Sequence, residues 1–261
     1  MPRANRYFLP GYIWHITHRC HKKEFLLKFA KDRKRWLHWL FEAKKRYGLC
    51  VLNYVVTSNH IHLLVKDSGA SVIPRSLQLI AGRTAQEFNN RKDRKGAYWE
   101  DRYHATAVAS DEHLFKCLVY IDLNMVRAGV VKHPAQWLHG GYAEIQSPPV
   151  RYRITDIPGL LELCAIKNVT ELRRLRDQWI DHELASGLTK RDASWTESIA
   201  VGDESFLEEV TTLLGVKALH RKVIEKDDKF VIQEAHTPYT SLFSGEMSNI
   251  SIKNTFKWDI L

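Results

Sequence analysis

Long apolar runs are missing from this chain of 261 residues, and no stretch approaches the roughly 18 residues needed to cross a bilayer. The opening Met1-Pro2-Arg3-Ala4-Asn5 holds no apolar segment of the kind that directs secretion. Both observations favour a cytoplasmic protein with no membrane partner. Cysteine is scarce: Cys20, Cys50, Cys117 and Cys164 are scattered with no close pairing. That argues against a disulfide framework or a zinc knuckle and fits reduced, mostly buried thiols. No G-x-x-x-x-G-K-[ST] phosphate loop occurs, so nothing points to nucleotide hydrolysis as an energy source. There is no internal repeat and no low-complexity tract.

Acidic residues are sparse where basic ones gather. Residues 1–146 hold 24 Lys and Arg against 12 Asp and Glu, whereas residues 147–261 hold 15 against 18. The net +9 of the chain is therefore carried by its first half. A basic half beside a mildly acidic one suggests that the first half meets a polyanion such as nucleic acid. A hydrophobic content of 44% is ordinary for a folded protein with a real core.

The patterning gives an order of elements. Tyr12 to His18 alternates and is rich in aromatic and β-branched residues, which predicts a strand. Lys31 to Tyr47 is a basic helix with Trp36, Leu37, Leu40 and Phe41 at helical spacing, closed by Gly48. Leu49–Val56 and His60–Lys66 are strands joined by Thr57-Ser58-Asn59, a connection short enough for a hairpin. Ser71 to Asn90 is a helix with Ile73, Leu77, Ile80, Thr84 and Phe88 on one stripe. Tyr103–Ala109 is a fourth strand, and a helix capped by Ser110, with Asp111 and Glu112 in its first turn, runs to Gly129. The sequence β-α-β-β-α-β implies an α+β fold: a ferredoxin-like four-stranded antiparallel sheet with helices on one face. Ser147-Pro148-Pro149 marks a boundary. It separates a catalytic domain, residues 1–146, from a mainly helical accessory extension, residues 147–261. Short helices are expected at 157–165, 169–185 and 204–214, and the weakly patterned tail from His236 is expected to be flexible.

Two groups of residues carry chemistry. On a strand, residues i and i+2 share a face. His60 and His62 therefore project together while Ile61, Leu63 and Val65 project into a core, and two neutral imidazoles so placed can ligate one divalent ion. His15 and His18 have opposite parity and read as core or DNA-facing polar residues. On the helix after Ser110, Tyr120 shares a stripe with His113, Lys116, Asn124 and Arg127, away from the apolar flanks. A tyrosine on a polar, basic stripe is a candidate nucleophile, and Asn124, one turn on, offers a carbonyl oxygen as a third ligand. A phenol with a pKa near 10 is only about one part in a thousand phenolate at neutral pH, so a divalent ion at the scissile phosphate would have to assist it.

These residues also carry a resemblance. Thr57-Ser58-Asn59-His60-Ile61-His62-Leu63-Leu64 resembles the histidine–hydrophobic–histidine motif of the HUH single-tyrosine, IS200-like transposases. Tyr120-Ile121-Asp122-Leu123-Asn124-Met125-Val126-Arg127-Ala128-Gly129 resembles the tyrosine helix of the REP-associated branch, and Tyr98-Trp99-Glu100-Asp101-Arg102-Tyr103 resembles the aromatic-basic segment before it. The similarity spans roughly residues 5–145. It implies a ferredoxin-like catalytic fold, Mg²⁺ or Mn²⁺ as cofactor, and cleavage of single-stranded DNA hairpins through a 5′-phosphotyrosine. Carried onto this sequence, Tyr120 is the nucleophile and His60, His62 and Asn124 are the metal ligands. One departure is visible: Met125 stands where the family usually has proline. Arg19, Arg83, Arg102 and Arg127 are candidate DNA contacts, as is Trp99 through base stacking. The resemblance allows a monomer or a homodimer, associated with the nucleoid when bound to DNA. The competing reading is a catalytically idle hairpin-binding regulator on the same fold. An RNA-binding module ranks lower, because Tyr54 is the only good stacking candidate on the central strands.

Overall fold

Strands that alternate into a core on one side and a site on the other need cover on both sides, and that requirement organises this protein. The structure is a computed structural model, which describes residues 8–69, 71–110, 112–187, 191–218, 221–226 and 229–234. The first elements are β1 (Ile13–Arg19), α1 (Ala30–Tyr47), β2 (Cys50–Val56), β3 (His60–Lys66), α2 (Val72–Lys92) and β4 (His104–Val108), in the expected β-α-β-β-α-β order. The four strands pair antiparallel in the order β2-β3-β1-β4. β1 and β3 are central, with Thr17 opposite His62 and Arg19 opposite His60.

Helix α1 ends where the sequence places its stop. Gly48 takes the left-handed conformation at φ 71° and its N–H caps the Lys44 carbonyl at 2.9 Å. Helix α2 buries Ile73, Ser76, Leu77, Ile80 and Thr84, the apolar stripe with one serine beside it. Trp14 and Ile16 of β1, and Ile61, Leu63 and Val65 of β3, pack with Trp36 and Leu40 of α1 and with Ile73, Leu77 and Ile80 of α2.

Two expectations are corrected here. Helices cover both faces of the sheet, not one. The second face holds Ile13, Leu52, Val55, Leu64 and Val108, which pack beneath α3 (Glu112–Asp122). Strands buried on both sides cannot leave one face to solvent. The expected single helix to Gly129 also pauses at Leu123, with ψ near 0°, before a short α4 (Asn124–Arg127). Bonds from Leu123 N–H to Val119 O (3.0 Å) and from Arg127 N–H to Leu123 O (2.9 Å) carry the chain through the pause. Asp111 lies outside the described residues.

The second half, expected to be mainly helical, carries strands as well as helices. After α5 (Gly141–Gln146) closes the first half, it adds α6 (Ile157–Leu163), α7 (Val169–Ala185), α8 (Ser194–Glu197), β5 (Ala200–Gly202), α9 (Glu204–Leu214), β6 (Arg221–Lys226) and β7 (Lys229–Glu234). The three strands extend the sheet to seven in the order β2-β3-β1-β4-β5-β7-β6. β5 joins β4 in parallel through Ala107 opposite Ala200. Three residues are too few to show period two, so β5 was not expected as a strand. The tail from His236 lies outside the described residues.

A buried ion pair ties the halves together. Arg176 of α7 binds both carboxylate oxygens of Asp122, at the end of α3, at 2.6 Å each, with both side chains 1% exposed. Asn53 of β2 donates to the same carboxylate at 3.0 Å. Three elements therefore meet at the C-terminal end of the helix that carries Tyr120.

Candidate active site

The hairpin turn before β3 decides how His60 is presented. The His60 Nδ1 lies 2.8 Å from Asn59 Oδ1 and 3.0 Å from Thr57 Oγ1. The Thr57 hydroxyl donates its one proton to the His60 carbonyl at 2.8 Å and accepts from the Asn59 and His60 main-chain N–H groups, so it has no proton to offer the ring. Both neighbours thus accept, which puts the imidazole proton on Nδ1 and leaves Nε2 unprotonated. The turn residues Thr57-Ser58-Asn59 do more than reverse the chain.

His62 is more deeply set. It is 3% exposed, and its Nδ1 lies 2.9 Å from His15 Nε2 on the neighbouring strand. Its Nε2 lies 2.8 Å from the Asn124 side-chain amide nitrogen. Tyr120 sits one turn before Asn124, with its ring centroid 5.9 Å from that of His62 and 6.0 Å from that of His15. The Arg127 guanidinium lies over the Tyr120 ring at 4.1 Å and donates to the Tyr120 carbonyl. Sheet and helix thus bring Tyr120, His60, His62 and Asn124 to one place.

The electrostatics favour neutral imidazoles. Burial pulls His60 down to about 4, and Arg19 and Arg191 press it the same way. Burial, then His15 and His60, hold His62 well below its ordinary value. Burial also raises the Tyr120 phenol, while Arg127 and Arg191 oppose that rise. Two unprotonated imidazole nitrogens and a reorientable amide are a donor set that suits a divalent ion. The third donor is an amide: among the described residues no three His, Cys, Asp or Glu form a metal-holding group.

The four groups open onto a cleft of about 770 Å³. Arg19, Arg102 and Arg127 line it, together with Arg191, Thr196 and Glu197 from the second half of the chain. Arg83 is elsewhere: it lines a groove with Arg75 and Tyr47, on the side of the sheet that α1 and α2 cover. Trp99 stacks on His18 at 4.0 Å and its indole N–H donates to Ala81 O at 3.1 Å, so the protein already uses one of its ring faces. Sequence reasoning missed His15 as a partner of His62, and it missed Trp195, Arg191 and Glu197. Their positions depend on long-range packing that leaves no local pattern.

Among the described residues no helix is long and apolar enough to cross a membrane. The chain is similar to the solved structure of a REP-associated tyrosine transposase bound to a REP hairpin. The two are 18% identical over 60% of this chain and 95% of that one, with a TM-score of 0.46. It is also similar to a putative transposase from Deinococcus radiodurans, 17% identical over 44% of this chain and 91% of that one, with a TM-score of 0.33. No curated protein sequence matches it. Residues 10–124, from the turn before β1 to Asn124, match the IS200-like transposase family.

Proposed function

We propose that this protein is a metal-dependent tyrosine transposase or nickase that cleaves and rejoins single-stranded DNA at hairpin elements. The observation that carries the reading is the meeting of Asn124 with His62 at 2.8 Å, one helical turn from Tyr120. Bound between His60, His62 and Asn124, Mg²⁺ or Mn²⁺ would supply positive charge to polarise a scissile phosphate. The protein supplies the rest. Tyr120 Oη attacks phosphorus and loses its proton, the P–O bond to the neighbouring nucleotide breaks, and a 3′-hydroxyl leaves. The 5′-phosphate stays on Tyr120, so the bond energy is kept and the reverse attack by a hydroxyl needs no ATP. Arg127 and Arg191 favour the phenolate that burial disfavours. Arg19 and Arg102 lie in the cleft wall where a DNA backbone would run. Recognition of REP-like hairpins follows from the resemblance at 98–103 and 120–129.

The test is a denaturing gel with labelled single-stranded hairpin DNA, wild type against Tyr120→Phe, with Mn²⁺ or with EDTA. A covalent adduct is expected only for the wild type with Mn²⁺. Tight hairpin binding with no adduct under any metal would replace this reading with that of an idle hairpin-binding regulator, and Met125 would be the first suspect.

A further inference from the structure

His15 is fully buried in the central strand β1, and both of its ring nitrogens are engaged. Its Nδ1 lies 2.8 Å from the main-chain carbonyl of Trp195 in α8, and its Nε2 lies 2.9 Å from His62 Nδ1. The two rings are within 17° of parallel with centroids 5.0 Å apart, which suits an in-plane N–H···N bond. A carbonyl oxygen can only accept, so His15 carries its proton on Nδ1 and presents a lone pair at Nε2. His62 must then donate from Nδ1, and its Nε2 is left without a proton. From the other end, the Asn124 amide reaches that same Nε2 at 2.8 Å as a donor. Both ends of the chain of bonds therefore demand one tautomer at His62.

The carbonyl at the start of this chain is itself held firmly. Ser194 N–H bonds Asp192 at 2.9 Å, Asp192 pairs with Lys229 of β7 at 2.5 Å, and the Lys229 ammonium lies 5.3 Å from the centroid of the Trp195 ring. On the far side of α8, Ser198 O accepts from Thr106 of β4 at 2.7 Å.

We infer that His15 is a positioning residue for the metal site, through which the Trp195 carbonyl fixes His62 in its ligating tautomer. Segments after residue 190 then tune the affinity of a site built before residue 125. This rests on the metal-dependent reading above. A ligating histidine whose second nitrogen loses its partner typically binds metal 10- to 100-fold more weakly.

The experiment has two arms on the full chain. In the first, Mn²⁺ affinity is measured by calorimetry and by the electron spin resonance of free Mn²⁺. His15→Phe should raise the Kd about 10- to 100-fold. His15→Gln, whose amide can donate to Trp195 and accept from His62, should restore it to within a few-fold. Equal affinity in wild type and folded His15→Phe overturns the inference while leaving the metal reading intact. A wild type that binds no Mn²⁺ overturns the metal reading itself. In the second arm, ¹⁵N shifts of His62 in metal-free wild type report where the proton sits, whether or not any variant folds. A proton on Nδ1 is expected, and a proton on Nε2 overturns the inference.

Discussion

His60 and His62 sit two residues apart on one strand, yet their surroundings differ in kind. His60 is half-buried at the mouth of the cleft, and its proton is placed by Thr57 and Asn59, at most three residues away. His62 is buried, and its proton is placed by His15 and, beyond it, by Trp195. One histidine is set by a turn and the other by the fold. A locally set side chain survives loosening of distant packing, whereas a remotely set one reports on it. The same contrast holds for the helix that carries Tyr120, whose end is fixed by Asp122 and Arg176 across a separation of 54 residues.

If the fold sets half of this site, the strongest way to break it is at that buried pair. Arg176→Leu leaves the Asp122 carboxylate buried without its counter-charge, which should cost about 3–5 kcal/mol of stability in urea unfolding. Asp122→Asn combined with Arg176→Leu should recover part of the loss, because the uncompensated charge is gone. A single variant as stable as wild type would show that α7 does not hold the tyrosine helix.

Acid should separate the two histidine environments next. Burial draws His15 down to about 3 and His60 to about 4, from an ordinary 6.5. The unfolded chain therefore binds protons that the folded one refuses, and stability falls as pH drops below 6.5. The contribution of His60 is exhausted near pH 4 and that of His15 near pH 3. Each histidine steepens the slope by at most about 1.4 kcal/mol per pH unit. Thermal unfolding in EDTA across pH 3–7 should show this loss, and His15→Phe should flatten it, most clearly between pH 3 and 4. An unchanged slope in that variant would mean that His15 titrates as an exposed group does.

What was legible in the sequence follows the same division. The strands 13–19 and 60–66 and the helices 30–47 and 72–92 come from patterns that short-range sterics and period impose, so they could be read directly. The shared face of His60 and His62 is a property of any strand, and the turn Thr57-Ser58-Asn59 lies beside it in sequence. The placing of Tyr120 with Asn124 and Arg127 came from helical spacing alone. The cover on the second face, the three added strands and the bond from Trp195 to His15 were not legible. The pairing of β5 with β4 depends on a partner 93 residues away and the bond from Trp195 to His15 on one 180 residues away, with no residue type that announces them. Arg83 shows the same limit from the other side: its charge marks a candidate DNA contact, but only the fold reveals that it lies in a groove with Arg75 and Tyr47, away from the cleft.

The smallest expected effect sharpens the comparison most, because it tests whether a local ligand is as sensitive as a remote one. In Asn59→Ala, His60 Nδ1–H loses its 2.8 Å acceptor but keeps Thr57 Oγ1 at 3.0 Å. Losing one of two acceptors from a half-buried group costs roughly 0.5–1 kcal/mol, or about 2- to 5-fold in Mn²⁺ affinity. The Asn59 side chain also donates to Lys23 O at 3.1 Å, so the turn should loosen slightly. Calorimetry on Asn59→Ala beside His15→Phe gives the ratio directly. The remote change should weaken binding more than the adjacent one, although His15 does not belong to the ligand set. Should Asn59→Ala prove the more damaging, the turn and not the fold would govern the site, and His62 would have to hold its tautomer without help from His15.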